Sequence, residues 1–138
     1  MVRLASALAL AALALAPAVG RAATPPVLNT SPLLANAGES YHECTVVNVS
    51  TVPVNVTIEL LGANGQAIAG PTTVPKLAAG AITDLVPGSA TYTGLARCRF
   101  TFVPATAVTT PSPPIRANLM VIHSSSGVVQ TYAVSEAQ

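Results

Sequence analysis

The chain has 138 residues, 51% of them hydrophobic and only 8% charged, with two cysteines and no tryptophan. Six basic residues stand against five acidic ones, a formal net charge of +1. Cations this few and this scattered argue against nucleic acid as a partner, because counterion release needs clustered Lys or Arg.

The first residues, MVRLASALALAALALAPAVGRAA, have the three parts of a secretory leader. Arg3 is the positive start, Leu4 to Leu15 is Leu and Ala apart from Ser6, and Pro17 breaks the run. Small residues at Gly20 and Ala22 place the expected cut after Ala22, making Met1 to Ala22 the signal peptide. The apolar run is shorter than the ~20 residues a membrane-spanning helix needs. No cysteine follows the cut, and a single arginine precedes the apolar core, so neither lipid attachment nor a twin-arginine signal is expected. The processed chain would lose Arg3 and Arg21, leaving four basic and five acidic residues and a net charge near −1. About 116 residues would remain, enough for one core. The expected location is the periplasm or the medium, with no stable membrane insertion after cleavage. A single lysine, Lys76, amid abundant Ala, Val, Thr and Pro points to a high-GC bacterial genome.

From residue 23 to 39 the chain carries Pro25, Pro26 and Pro32, so it reads as an extended arm, at best an edge strand. The domain proper is expected from Ser40 to Gln138. Tyr41 to Val49 is the first firm strand. Val54, Val56, Ile58 and Leu60 alternate with Asn55, Thr57 and Glu59 in the next, the period of a half-buried strand. Asn64-Gly65 favours positive φ and a tight turn into a weaker extended piece, Ala67 to Val74. Leu77 to Gly80 turns into a strand from Ala81 to Val86, which Pro87-Gly88 ends. In Leu95 to Val103, Cys98, Phe100 and Phe102 share one face and Arg97, Arg99 and Thr101 the other. A proline-rich loop, Pro104 to Pro114, precedes a strand marked by Ile115, Ala117, Leu119 and Val121. Ser124 to Gly127 is a polar turn, and Val128 to Val134 is the last strand. Seven or eight short strands without helical periodicity predict an all-β, single antiparallel β-sandwich.

Cys44 and Cys98 each share a face with apolar neighbours, on strands distant in sequence. In an exported chain an even cysteine count favours a disulfide, here closing a loop of more than fifty residues, worth about 4 kcal/mol in the loop-entropy model. The alternative is a metal site. His42 shares parity with Cys44, and His123 with Leu119 and Val121, so the four side chains could form a Cys₂His₂ set for zinc or copper. The spacing matches no familiar metal motif, and both histidines stand at strand ends, where solvent is the usual neighbour. No metal or other cofactor is therefore expected.

Catalytic signals are weak. His123-Ser124-Ser125-Ser126-Gly127 puts a histidine beside hydroxyls in a turn, which is not the geometry of a nucleophile, base and orienting group. Glu39, Glu43, Glu59, Asp84 and Glu136 are the acidic residues left after cleavage, and Glu43 and Glu59 alternate onto the polar face of their strands. No glycine-rich phosphate loop occurs. Arg97, Arg99 and Arg116 would make a basic cluster if their strands were neighbours, and otherwise are outward residues paired with Glu43, Glu59 or nothing. Asn29-Thr30-Ser31, Asn48-Val49-Ser50 and Asn55-Val56-Thr57 fit the N-glycosylation pattern and read here as surface polarity. Val47, Val49 and Leu61 fall on polar faces, leaving apolar surface to cover.

The stretches CTVVNVSTVPVNVTIELLGANGQAI, LAAGAITDL and ARCRFTF resemble the strand series of immunoglobulin-like β-sandwich modules of bacterial secreted proteins. The likeness spans Ser40 to Val134. It implies an immunoglobulin-like sandwich, with Cys44 and Cys98 at the place of the inter-sheet disulfide. The chain departs from that pattern in lacking tryptophan and in carrying Ala96 two residues before Cys98, where a tyrosine would stand. The short link Ser50-Thr51-Val52 suggests a hairpin within one sheet. The expected function is that of a small non-enzymatic binding or structural module with an unknown protein or cell-envelope partner, using the proline-rich loop or an exposed strand edge, with self-association open. The rivals are a periplasmic metal-binding protein, a pilin-like assembling subunit and a small hydrolase that would depend on His123.

Overall fold

The computed structural model describes residues 24–35, 40–87, 92–104, 114–125 and 128–138. The leader therefore lies outside the described residues, as do Glu39, Ser126, Gly127 and nearly all of the proline-rich loop. The described residues form nine strands: β1 (Val27–Asn29), β2 (Leu33–Ala35), β3 (Ser40–Asn48), β4 (Val54–Gly62), β5 (Ala67–Leu77), β6 (Ile82–Leu85), β7 (Gly94–Pro104), β8 (Ile115–Ser125) and β9 (Val128–Glu136). They form two antiparallel sheets. One runs β1-β7-β4-β5 with β2 also on β7, and the other runs β6-β3-β8-β9.

Alternation in the sequence decides which side chains form the core. Every second residue of β3 and β4 is buried: His42, Cys44, Val46 and Asn48 in the first, Val54, Val56, Ile58 and Leu60 in the second. Phe100 pairs with Ile58, Phe102 with Val56 and Cys98 with Leu60, so β4 and β7 present one continuous apolar face. Cys44, Val46, Ile115 and Leu119 of the other sheet join the same buried cluster. The two sheets thus pack face to face around a core built mainly of aliphatic side chains, as layered β structures do. Pro71 and Pro75 fall in β5, at the sheet edge, where a missing N–H breaks no ladder.

Two expectations change. Among the described residues there are nine strands, because the arm contributes two: Val27 to Asn29 pairs with Thr101 to Arg99, and Leu33 to Ala35 pairs with Ala96 to Gly94. Both line the free edge of β7, with Ser31-Pro32 interrupting them. The link after β3 is not a hairpin, since β3 and β4 belong to different sheets.

Asn48 is the reason that the chain can cross in so few residues. Its Nδ2 donates to the carbonyls of Val52 (2.8 Å) and Leu77 (2.9 Å), and its Oδ1 accepts from the Ser50 N–H (2.9 Å) and hydroxyl (2.8 Å). The backbone adds bonds from the Asn48 N–H to the Ala81 carbonyl and from the Gly80 N–H to the Asn48 carbonyl. Asn48 is wholly buried, so its Asn-x-Ser pattern marks a corner of the fold and not surface polarity. Thr30 of Asn29-Thr30-Ser31 is also buried, and its Oγ1 accepts from the Cys98 N–H at 2.9 Å. Asn55 Oδ1 accepts from the N–H of Lys76, a residue with φ of 52°, at a register shift between β4 and β5. Leu61 is buried as well, whereas Val47 is half-buried and Val49 exposed.

Candidate functional site

Cys44 on β3 and Cys98 on β7 are joined in a disulfide, with a Cα–Cα distance of 5.8 Å and a sequence separation of 54. Their strands lie in opposite sheets, so the bond ties one layer to the other through the core, and both residues are fully buried. Both point inward: Cys44 sits opposite Leu119 and Cys98 opposite Leu60.

The Cys₂His₂ arrangement is not assembled, because both sulfurs are consumed by that bond. His42 is on the inward face of β3, but it is fully buried and not at the solvent-facing strand end expected for it. Its Nε2 donates to the Leu33 carbonyl at 3.0 Å, which fixes the proton there, and its ring lies 6.0 Å from that of Tyr92. The arm and Tyr92 are what cover it. Its Nδ1 is buried with no hydrogen-bond partner. His123 pairs with Ser40 across the β3–β8 ladder, and its Nδ1 lies 3.1 Å from the Ser40 hydroxyl. Among the described residues, no three His, Cys, Asp or Glu side chains gather where they could hold a metal.

The three arginines separate. Arg97 and Arg99 lie on β7, Arg116 on β8 in the other sheet, so no basic cluster forms. Arg99 and Glu59 face each other across β4 and β7 and meet through two parallel hydrogen bonds, Nε to Oε2 at 2.7 Å and Nη2 to Oε1 at 2.8 Å. These bonds lower the Glu59 pKa below the ordinary glutamate value; partial burial opposes them and the guanidinium charge reinforces them. The same bonds raise the Arg99 pKa. Glu43 accepts from the Thr45 hydroxyl at 3.2 Å on the outer face of β3.

Two depressions lie among the described residues. One, about 290 Å³, lies between Thr30, Pro32, Gly62, Ala63, Ala96 and Arg97. The other, about 440 Å³, lies on the outer face of the four-stranded sheet among Thr45, Val47, Ile82, Arg116, Asn118 and Glu136. Neither includes His42, His123 or Ser40. Among the described residues, no helix is long and apolar enough to cross a membrane.

Sequence reasoning missed Asn48 and Thr30, which hold the sheet crossing and the arm. The available signal was their polarity at positions whose parity points inward. No family model matches the chain, and no curated protein does. Among solved structures it is similar to the one described as "Crystal Structure of Thermotoga maritima 1070", with a TM-score of 0.51 at 7% identity, covering 83% of this chain and 94% of that one. At that identity the likeness concerns the fold.

Proposed function

We propose that this chain is a small exported, non-enzymatic protein, an immunoglobulin-like β-sandwich that works as a binding or structural module through its surface. The observation that carries the reading is the buried Cys44–Cys98 bond between the sheets. Disulfides persist in oxidising compartments, so the bond agrees with a leader at residues 1–22 and with residence in the periplasm or the medium. The immunoglobulin-like assignment is supported by two antiparallel sheets facing each other across that bond. The absence of catalysis is supported by the placement of the polar side chains: Asn48 and Thr30 serve the fold, and Glu59 and Arg99 serve each other.

A second reading, an assembling subunit, draws on one observation: the arm already lies as an added strand along the edge of β7. Assembly by strand exchange would require the arm to leave its own β7 for that of another copy.

The test is a native, non-reducing intact mass of the protein produced with its own leader. The expected species starts near Ala23, weighs two hydrogens less than the reduced chain and carries no metal. A reduced chain loaded with zinc or copper would overturn the reading in favour of metal handling. Hydrolytic activity that disappears in His123→Ala would overturn it in favour of an enzyme.

A further inference from the structure

The outer faces of the two sheets differ. At the centre of the five-stranded sheet the outward residues are polar and mutually satisfied: Thr57 bonds Thr73 at 3.0 Å, and Glu59 bonds Arg99. Its exposed aliphatics, Val27, Leu34, Leu95 and Val103, stand on the arm or toward the ends of β7. The four-stranded sheet carries exposed aliphatic side chains on both of its edge strands. On β6, Ile82 is 69% exposed and sits opposite Val47 of β3. On β9, Val134 is 55% exposed and sits opposite Met120 of β8. The register shift at Val121/Ile122 puts Val129, 63% exposed, on this face too, opposite Ser124. Val49 and Val86, just past the ends of β3 and β6, are also exposed.

Between these apolar positions runs a polar row, Asp84-Thr45-Asn118-Glu136, in direct cross-strand register. Glu43 follows two residues before Thr45, and Arg116 stands opposite Val47 beside the row. The ion pair found among the described residues is on the other sheet, so Arg116 has no carboxylate in range and Asp84, Glu43 and Glu136 have no cation. Exposed aliphatic side chains on either side of unpaired charges of both signs suit a polar, non-obligate contact face.

We propose that this face is a contact surface between two copies of the chain, packed sheet on sheet about a two-fold axis. A two-fold axis presents the same patch to itself, so Arg116 of each copy meets the acidic row of the other. A heterologous partner would have to bring its own cation; a second copy brings Arg116. Three strands of about nine to eleven residues and the four-residue β6, spaced ~4.8 Å, cover a plane of roughly 500 Å² per copy, which puts the pair at the lower limit of specific interfaces. The dimer is correspondingly weak, with dissociation in the micromolar range on the order of 1–100 µM. The inference rests on reading the chain as a module that acts through its surface, and it names the surface and the partner.

The test is sedimentation of the disulfide-bonded, processed protein between ~1 and ~300 µM, a span chosen to bracket that range. The wild type should pass from monomer to dimer. Ile82→Lys, Val134→Lys and Arg116→Glu, all at exposed positions, should each weaken dimerisation at least ~tenfold, the loss of one apolar contact or charge pair. Thr57→Lys, on the opposite face, should leave it unchanged. Each variant must retain the non-reducing mass and melting temperature of the wild type, and agreement among the three guards against one that fails to fold. A wild type that stays monomeric at ~300 µM overturns the proposal but not the reading of an exported module, which the intact mass tests separately. A dimer that tolerates the three substitutions, or that is lost only when residues 24–35 are removed, overturns it in favour of arm exchange.

Discussion

Asn48 is a polar side chain at zero exposure that closes four side-chain hydrogen bonds, and the crossing from one sheet to the other depends on them. Removing it strands the Leu77 carbonyl inside the protein and frees the link to Val52, and an unsatisfied buried group costs its full desolvation. Asn48→Ala should therefore lower unfolding stability by about 2–4 kcal/mol, measured as a shift in urea midpoint. Asn48→Asp keeps the acceptor but loses both donated bonds, and should fall in the same range. The Glu59–Arg99 pair predicts the opposite scale of effect. It is a surface pair, the arginine side chain being 42% exposed, so Glu59→Gln should cost less than ~1 kcal/mol. Because Arg99 depresses the folded pKa of Glu59, the pair's contribution is present above the ordinary glutamate value of 4.5 and is lost as pH falls through the depressed one. Stability measured against pH should show wild type and Glu59→Gln converging below that window; a gap that persists there would sink the assignment.

At the scale of elements, the strands were legible where one face is buried and the other wet. Val54 to Leu60 alternates without a break, and β4 follows it residue for residue. The arm was harder, because Pro25, Pro26 and Pro32 suppress any period, and its two short strands owe their order to the vacant edge of β7. The crossing after β3 was misread for a related reason: a short link looks like a hairpin unless the side chain that staples it is known to be buried. Metal candidacy of His42 and His123 arose from parity alone, which says that side chains share a face but not which of them touch. The face of the four-stranded sheet was legible only at Val47 and Val49, since the rest depends on the bulge that turns Val129 and Val134 to the same side. Thr30 ties arm to sheet, accepting from the Cys98 N–H through its hydroxyl and donating its own N–H to the Cys98 carbonyl at 3.1 Å. Thr30→Val keeps the shape and removes the hydroxyl acceptor, leaving a buried N–H without its partner. It should cost about 1–2 kcal/mol, and hydrogen exchange should show faster opening of the arm and of the Cys98 amide ahead of the core.

For the whole molecule, the disulfide couples the two layers at their centre, and its contribution should appear chiefly in the unfolded state. Joining residues 54 apart in sequence removes about 4 kcal/mol of chain entropy from the denatured ensemble in the loop-entropy model. The hydrophobic contacts of Phe100, Ile58, Leu60 and Leu119 remain when the bond is gone, so a Cys44→Ala/Cys98→Ala chain should keep its β-sheet spectrum in water. Its denaturant midpoint should fall, and the transition should steepen, because an uncrosslinked chain exposes more surface on unfolding. Two small cavities add to the loss, since alanine replaces sulfur at two fully buried positions. Burial also dictates how the bond responds to reductant. Neither sulfur is accessible in the folded protein, so attack by a thiolate must wait for opening of the core, and the reduction rate should rise with denaturant in step with global unfolding. Rapid reduction in the absence of denaturant would mean that the sheets part locally around Cys44 and Cys98. The bond would then be an accessible redox element, not the rivet between two layers that its position in the core describes.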